Sequence, residues 1–358
     1  MEDLNWLISL LGIAVTLLIS IDVILTVLHI DTEGPVAWVI FQSVWRGFQK
    51  LIRLFPHTRR TLVALAGPVM IVATFAVWIG IFVVGFALIY YPYIGLFRAD
   101  EEFMLLGFYE ALYFSGVTAT VLGYGDITPV EGVLQIVSIL QSALGFALLT
   151  GIVTYLINVV TGVSDRNALA LRLWSENGQT GDGTNAVIRS LSCEKSSDLR
   201  LRLQTLLDIM YNVHQKIHQF PILNLFYRSK DPIYSPELMV RSAMQLSIAA
   251  RVISADEQYR RLRAVSDELA EVTTMMMGII ASQHMMKKLR DQLDRPAPGE
   301  ADERYLEQIV ITLGSNFPRL NLEDAGKDRR TLELVFRLCS FLDETDKLTG
   351  WRMDDTVK

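Results

Sequence analysis

Two long stretches without a charged side chain most constrain how this chain can fold. They cover residues 61–97 and 132–164. Each exceeds the ~20 apolar residues with which a helix, rising about 1.5 Å per residue, crosses the hydrocarbon core of a bilayer. A soluble protein and a secreted protein are therefore excluded. Residues 165–358, in contrast, carry charges throughout, which predicts a membrane protein with a large aqueous domain.

Three segments have the length and composition of transmembrane helices. They are residues 4–28, whose only charge is Asp22, residues 62–91 and residues 133–163. The sequence begins Met1-Glu2-Asp3, without the positive start of a signal peptide, so we expect the first segment to be retained as a span. Four regions are thus predicted: an N-terminal span (1–30), an interfacial linker (31–61), a domain with two spans (62–163) and an aqueous domain (164–358).

The distribution of basic residues predicts the orientation of these spans. The linker carries five basic residues against two acidic ones, whereas the loop at 92–132 carries Arg98 against six acidic residues. Because cytoplasmic loops are enriched in Lys and Arg, the linker and residues 164–358 are expected in the cytoplasm. The N-terminus and the acidic loop then lie outside, in a plasma membrane, which is the inner membrane if the source is a bacterium.

The linker and the carboxylate before it have more than one interpretation. Five apolar side chains recur at helical spacing away from the basic residues, which is typical of an amphipathic helix at the membrane interface (Trp38, Phe41, Trp45, Phe48, Ile52). A carboxylate inside a span, such as Asp22, usually has a partner and often a function. The interpretation we favour is that Asp22 lies near the cytoplasmic end and reaches water, Arg59 or Arg60.

The loop between the second and third spans carries the most informative residues. Its apolar, aromatic segment (103–117) is too short to cross a membrane and too apolar for a solvent loop, which predicts a re-entrant helix buried among other helices. Gly123-Tyr124-Gly125-Asp126 comes after it. Backbone carbonyls can face one axis and replace the water of a K⁺ ion only if some residues adopt left-handed dihedral angles, as glycine does readily. We expect Tyr124 to point away from that axis and brace the loop against the helix.

The run Thr118-Ala119-Thr120-Val121-Leu122-Gly123-Tyr124-Gly125-Asp126 resembles the filter signature of the potassium channel superfamily, whose core reads Thr-Val-Gly-Tyr-Gly. The resemblance implies an all-α membrane protein with a tetrameric pore over residues 62–163, made of an outer helix, a re-entrant pore helix with its filter, and an inner helix. An N-terminal span and a helical cytoplasmic domain would be additions to that pore.

The same resemblance implies a role for each residue of the loop. K⁺ would bind at Val121, Leu122, Gly123 and Tyr124, with Gly125 completing the filter, while Thr118, Thr120 and Asp126 would support it. Val121 and Leu122 depart from the pattern, because they stand where the superfamily has threonine and valine. The carbonyls remain, but a ring of hydroxyl groups at the innermost ion site is lost, so that site should bind K⁺ more weakly.

The third span contains candidate gating residues. Gly145 lies about where the inner helix of the superfamily has its hinge glycine, and Gly151 offers a second flexible point. Both glycines also fit close packing of helices in a membrane, and the two interpretations stay open. If the superfamily arrangement holds, Leu149, Val153 and Ile157 line the cavity and its cytoplasmic narrowing.

The number of loops predicts the assembly and narrows the function. Because the chain has one such loop and a closed ring needs four, we expect a homotetramer in a lipid bilayer. No cofactor is predicted, K⁺ being the permeant ion, and no catalytic constellation or nucleic-acid surface is found, so an enzyme is not expected. The alternatives are a weakly selective cation channel and a non-conducting, membrane-anchored signalling scaffold.

The cytoplasmic half is predicted to be helical and to modulate the channel. After a polar linker at 177–185, apolar residues follow a 4-3 repeat over 199–220 and again over 262–279, with shorter helices near 303–313 and 330–342. The repeats fit either coiled coils or a compact bundle, and their short length favours the bundle. The gating stimulus and any cytoplasmic ligand or protein partner are not identified by the sequence.

Overall fold

The computed structural model describes residues 2–28, 34–99, 107–193, 196–220, 223, 229, 231–283, 286–322 and 324–349. The chain divides into two units, Met1–Val160 and Thr161–Lys358. The predicted re-entrant segment therefore lies partly outside the described residues, at 103–106.

The first unit is built from long apolar helices. In chain order they are α1 (Glu2–Leu28), α2 (Pro35–Leu54), α3 (Arg59–Tyr90), α4 (Phe108–Ala119) and the start of α5 (Gly132–Glu176). α3 packs against α1, α2 and α4. Among the described residues, three helical segments are long and apolar enough to cross a membrane, namely Asn5–Val27, Ala64–Leu96 and Gly132–Glu176. The all-α membrane fold is thus confirmed.

Two short strands are an addition to the predicted all-α fold. A 3-10 turn (Tyr91–Leu96) leads from α3 into β1 (Phe97–Ala99), which pairs antiparallel with β2 (Ile127–Pro129). The register places Phe97 opposite Pro129 and Ala99 opposite Ile127. The strands therefore join the end of the second span to the segment directly after Asp126.

Asp22 is buried and connects three helices. It is 1% exposed. Its Oδ1 accepts a hydrogen bond from the backbone N–H of Val36 at 2.7 Å. Its Oδ2 accepts from the N–H of Ala37 at 3.3 Å and from the indole N–H of Trp78 on α3 at 2.8 Å. A carboxylate of α1 thus caps the first turn of α2, where free N–H groups and the helix dipole favour a negative charge.

These contacts decide between the interpretations of Asp22. The expectation that its carboxylate reaches water is wrong, because both of its oxygens accept hydrogen bonds from donors of α2 and α3 in a buried position. The expected contact with Arg59 or Arg60 concerns side chains outside those that the structure describes. The predicted amphipathic linker helix is present as α2, with Phe41 6% exposed and Trp38 51% exposed; its place at the membrane interface stays a prediction.

The second unit is a helical bundle around one apolar core. Its helices are α6 (Gly183–Cys193), α7 (Ser196–Gln219), α8 (Pro236–Ile253), α9 (Leu262–Gln283), α10 (Lys287–Asp294), α11 (Glu300–Asn316) and α12 (Arg329–Thr349). α8 packs against α6, α9 and α12, and α7 packs against α9. Six apolar residues of the first repeat are at most 2% exposed within this core (Leu199, Leu203, Leu206, Met210, Val213, Ile217). Phe220, at the end of the repeat, is 5% exposed. Of the two predicted alternatives, a coiled coil and a compact bundle, the structure thus shows the compact bundle.

The helix that follows the loop is longer than the predicted third span at 133–163. α5 is one helix that continues from Gly132 to Glu176, past the unit boundary at Val160. The predicted linker at 177–185 is correct only for its first part, because α6 already begins at Gly183. A change from apolar to charged composition after Ser164 marks an exit from the membrane but not the end of a helix.

We predict that Asp22→Asn destabilises the first unit. Asparagine keeps the shape of the side chain, but it removes the charge and directs an NH₂ group at an N–H donor, at a cost of about 1–3 kcal/mol. The apparent unfolding temperature of the purified protein in detergent should fall, and amide exchange at Val36 and Ala37 should accelerate. Trp78→Phe, which removes one bond, should cause a smaller fall. Unchanged stability and exchange in Asp22→Asn would contradict this role.

Candidate ion-conduction site

The loop that carries the candidate filter begins at the C-terminus of α4. α4 is 12 residues long, or about 18 Å, which is too short to cross a membrane. Its N-terminus is fixed by a hydrogen bond from the N–H of Gly107 to Glu110 Oε2 at 2.7 Å. At the other end, the hydroxyl of Thr120 donates to the carbonyl of Gly116 at 2.8 Å. The described part of the predicted re-entrant segment is thus a short helix.

The backbone after α4 alternates in handedness. φ is 58° at Val121, 62° at Gly123 and 80° at Gly125. Leu122 and Tyr124, which lie between them, do not have positive φ. The two glycines behave as the sequence predicts. Val121 was predicted as a filter residue, but its left-handed conformation was not, because a β-branched side chain rarely adopts one.

Two backbone hydrogen bonds hold the strained residue. The N–H of Val121 donates to the carbonyl of Thr118 at 3.2 Å, and the N–H of Leu122 donates to the carbonyl of Val117 at 3.0 Å. Thr118 thus contacts the loop through its backbone carbonyl, whereas the hydroxyl of Thr120 donates to carbonyls of α4; their role as support residues of the filter stays a prediction. A left-handed valine costs on the order of 1–3 kcal/mol and persists only where its surroundings fix it.

Asp126 is anchored at the far end of the loop. Its Oδ2 accepts a hydrogen bond from the hydroxyl of Tyr113 on α4 at 2.6 Å, and its Oδ1 accepts from the N–H of Ile127 at 3.0 Å. The loop is consequently fixed to α4 at both of its ends. Asp126 was predicted as a support residue, whereas nothing in the local pattern singled out Tyr113.

The side chains of the loop are largely uncovered in the single chain. Val121 is 52% exposed, Leu122 is 58% exposed and Tyr124 is 68% exposed. Most of the Tyr124 ring therefore contacts nothing in its own chain, so the expected bracing against the re-entrant helix of the same chain is at most partial. By contrast, Ala119 and Ile127, which flank the loop, are 4% and 3% exposed.

A buried polar network behind α4 joins three helices. The hydroxyl of Ser115 donates to the carbonyl of Val83 on α3 at 2.7 Å. The Gln141 amide on α5 donates to the carbonyl and the hydroxyl of Ser115 at 2.9 Å and 2.8 Å. Ser115 and Gln141 are both 0% exposed. The sequence analysis did not predict this network. The available signal was that Ser115 and Gln141 are polar residues within apolar segments.

The two glycines of α5 have different surroundings. A Cβ atom at Gly145 would lie 2.3 Å from the carbonyl oxygen of Ala119, the last residue of α4. A Cβ atom at Gly151 would meet nothing within 4 Å. α5 is a single helix through both positions. Gly145 thus permits close packing against α4, as one of the two open interpretations held, and the hinge role of both glycines stays a prediction.

The candidate cavity residues Leu149, Val153 and Ile157 follow Gly145 on α5 at intervals of four residues, or about one helical turn each. Val153 is 55% exposed and Ile157 is 58% exposed in the single chain, and Leu149 is half-buried. The opposite face of α5 is covered. Its Tyr155 is 6% exposed and packs edge-on against Phe75 of α3, with 6.2 Å between the ring centroids. The predicted residues therefore share a face of α5 that is directed away from α3.

A comparison with known protein families bears on this region. Residues 64–162 match the family model described as an ion channel. The match covers 99 of the 358 residues, so this segment is similar to an ion channel. The resemblance to a channel pore that the sequence indicates is confirmed for these residues, and the ion ligands of the filter stay a prediction.

The other comparisons are less informative. The "Uncharacterized membrane protein YdjJ" of Bacillus subtilis (strain 168) is 27% identical to the chain over 211 residues. The matched region covers 59% of this chain and 60% of that relative, so the chain spans less than two thirds of the relative's length. None of the solved structures matches the chain significantly. The relative supports membrane character.

We predict different effects of alanine at the two glycines of α5. Gly145→Ala should lower the apparent unfolding temperature, because overpacking against Ala119 costs about 1–3 kcal/mol. Gly151→Ala is the matched control and should leave the temperature unchanged or raise it, since alanine favours a helix by about 1 kcal/mol. Equal unfolding temperatures for the two variants would contradict the close contact with α4.

Proposed function

We propose that the protein is a potassium-selective channel in which four copies of the chain surround one axis. The observation that carries the proposal is the alternating sign of φ over residues 121–125. In an extended strand, successive carbonyl groups point to opposite sides. Alternating left- and right-handed dihedral angles turn successive carbonyls toward one side, so that each chain can supply a column of oxygen ligands in place of water.

The exposure of the loop supports an assembly of four chains. A single column cannot enclose an ion, because each K⁺ site needs about eight oxygens and therefore carbonyls from several chains. The apolar side chains of Val121, Leu122 and Tyr124 are more than half exposed in one chain. An arrangement around a fourfold axis would cover side chains on the outer side of the loop with neighbouring copies while the carbonyls face the axis.

Val121 supports a filter more than an ordinary turn. A turn between two helices does not require a β-branched residue at a φ of 58°, and strain of this kind is concentrated at functional sites. Positive φ recurs at every second residue, at Gly125, Gly123 and Val121. Val121 thus extends the pattern of the two glycines toward α4. Four carbonyl levels, from Val121 to Tyr124, are thereby available as ion sites.

The nearest alternative is a weakly selective cation channel. It is favoured by Val121, which offers a methyl group where the superfamily has a hydroxyl at the innermost site. The carbonyls of Leu122, Gly123 and Tyr124 do not depend on that side chain, so we expect selectivity to stand and the innermost site to be the least occupied.

Flux measurements test conduction and selectivity. The purified protein in liposomes should carry K⁺ in strong preference to Na⁺, measured as efflux and as reversal potentials in mixed salts. Gly123→Ala should lower this flux, because a side chain at a φ of 62° costs about 1–2 kcal/mol in each of four chains, in addition to the strain already present at Val121. Gly80→Ala is the matched control, since a Cβ at this position in α3 meets nothing within 4 Å, and it should conduct normally.

The outcomes of these measurements separate the candidate functions. Equal permeabilities for K⁺ and Na⁺ in the unmodified protein would make it the weakly selective channel. Absence of flux in folded protein under all conditions would favour the non-conducting scaffold.

We further propose that the helical bundle modulates opening through α5. Beyond the unit boundary, Asp165 on α5 forms an ion pair with Lys216 near the end of α7. The next residue, Arg166, is 1% exposed and donates a hydrogen bond to the carbonyl of Leu223. Because the candidate cavity residues and these contacts lie on one uninterrupted helix, a movement of α7 would be transmitted to α5.

Removing the ion pair tests this coupling. Lys216→Met should change the open probability about twofold to fivefold, as expected for a partly exposed pair worth about 0.5–1 kcal/mol, with the K⁺ to Na⁺ ratio unchanged. Single-channel recording measures both quantities. Lys288→Met removes a pair with Glu344 at 3.1 Å elsewhere in the bundle and is the control. An unchanged open probability in Lys216→Met, or an equal change in both variants, would contradict transmission through α5.

A further inference from the structure

A cleft in the bundle has a lining that suits a ligand. Its volume is about 510 Å³, within the range of small-molecule sites. It lies between the first turns of α7 and the 3-10 turn (Glu257–Tyr259) that precedes α9. Its lining residues are Arg200, Leu201 and Gln204 on one side and Gln258, Tyr259, Arg261 and Leu262 on the other.

Among the described residues, the lining of the cleft includes two arginines and no acidic side chain. Arg200 and Arg261 are both exposed. Among the described side chains, neither guanidinium has an ion-pair partner, and no carboxylate of a described residue lines the cleft. Two like charges in one concave site raise its energy, and an anion bound between them lowers it.

The neighbouring arginines show the contrast. The guanidinium of Arg260 lies 3.5 Å from Oε1 of Glu257, and the guanidinium of Arg263 lies 3.6 Å from Oδ1 of Asp328. The arginines on either side of Arg261 are therefore paired with carboxylates of the same chain, in a protein whose acidic residues outnumber its basic ones by 39 to 33. Arg261 itself, which faces the cleft, is the exception within this described stretch.

The rest of the lining selects the kind of anion. Guanidinium groups bind phosphate oxygens through two parallel N–H groups. The carboxamides of Gln204 and Gln258 can each donate and accept, as the edge of a heterocyclic base requires. Leu201, which is 65% exposed, and the half-buried ring of Tyr259 offer apolar surface on which a flat ring can lie.

We propose that this cleft binds a nucleotide, with its phosphates between Arg200 and Arg261 and its base against Tyr259 and Leu201. No glycine-rich phosphate loop is involved, so the motif patterns of the sequence do not reveal the site. α7 carries the cleft residues in its first turns and Lys216 near its end, which places a bound nucleotide on the helix that contacts α5. The binding itself does not depend on the proposed channel function.

Equilibrium dialysis of the full-length protein in detergent tests the proposal. The probes are ATP, GTP, CTP, UTP and NADH, with adenosine and pyrophosphate as the two separate parts of a nucleotide. At least one nucleotide should bind more tightly than either part. Arg200→Gln and Arg261→Gln should each weaken that binding about tenfold or more, since each removes hydrogen bonds to a charged group. Both arginines are exposed, so their variants should fold, which circular dichroism checks.

Arg260→Gln is the matched control. It removes the same charge one residue away, outside the cleft, and should leave the affinity within about twofold. The proposal is overturned if none of the five nucleotides binds at millimolar concentration, or if Arg260→Gln weakens binding as much as Arg261→Gln. Pyrophosphate binding as tightly as every nucleotide would also overturn it, because the base would then make no contact. Displacement of the nucleotide by vesicles of phosphatidylglycerol, with binding to them lost in both cleft variants, would assign the cleft to a lipid headgroup instead.

Discussion

An irregular backbone between two membrane-spanning helices is the constraint on which the pore half of this structure depends. In a bilayer, unpaired N–H and C=O groups are tolerated only where protein covers them or where they line a polar path. Residues 120–126 are neither helix nor strand, and three of their side chains are more than half exposed in one chain. In the proposed channel, neighbouring copies of the chain would surround this loop, and a permeant cation would be the ligand of its carbonyls.

The surrounding residues hold this loop in one conformation. Hydrogen bonds fix its start to the C-terminal turn of α4, and the bond from Tyr113 to Asp126 fixes its end to the same helix. Ser115 and Gln141 then join α4 to both spans, and Gly145 lets α5 approach the last residue of α4. The strain at Val121 is sustained by this framework as a whole, because a single hydrogen bond contributes only about 1 kcal/mol net.

Composition and local periodicity account for much of the fold. The three spans, the short re-entrant helix, the left-handed glycines and the buried 4-3 repeat of α7 all arise from patterns within a few turns of chain. Asp22, Gln141 and Tyr113 could not be placed in the same way, because their partners lie 13 to 56 residues away in sequence. The left-handed conformation of Val121 was not predicted for another reason: local propensity disfavours it, and the tertiary framework overrides that propensity. The length of α5 was underestimated because helicity, unlike hydropathy, does not change where a helix leaves a membrane.

In the proposed channel, carbonyls of residues 121–124 from four chains bind K⁺ on one axis. An experimental structure of the assembled protein with Tl⁺ substituted for K⁺ tests this arrangement, because anomalous scattering locates the ions. We expect a fourfold assembly with Tl⁺ peaks on its axis at the level of Leu122, Gly123 and Tyr124, and the weakest peak beside Val121. An assembly without that symmetry, or an axis without Tl⁺ at these residues, would contradict it.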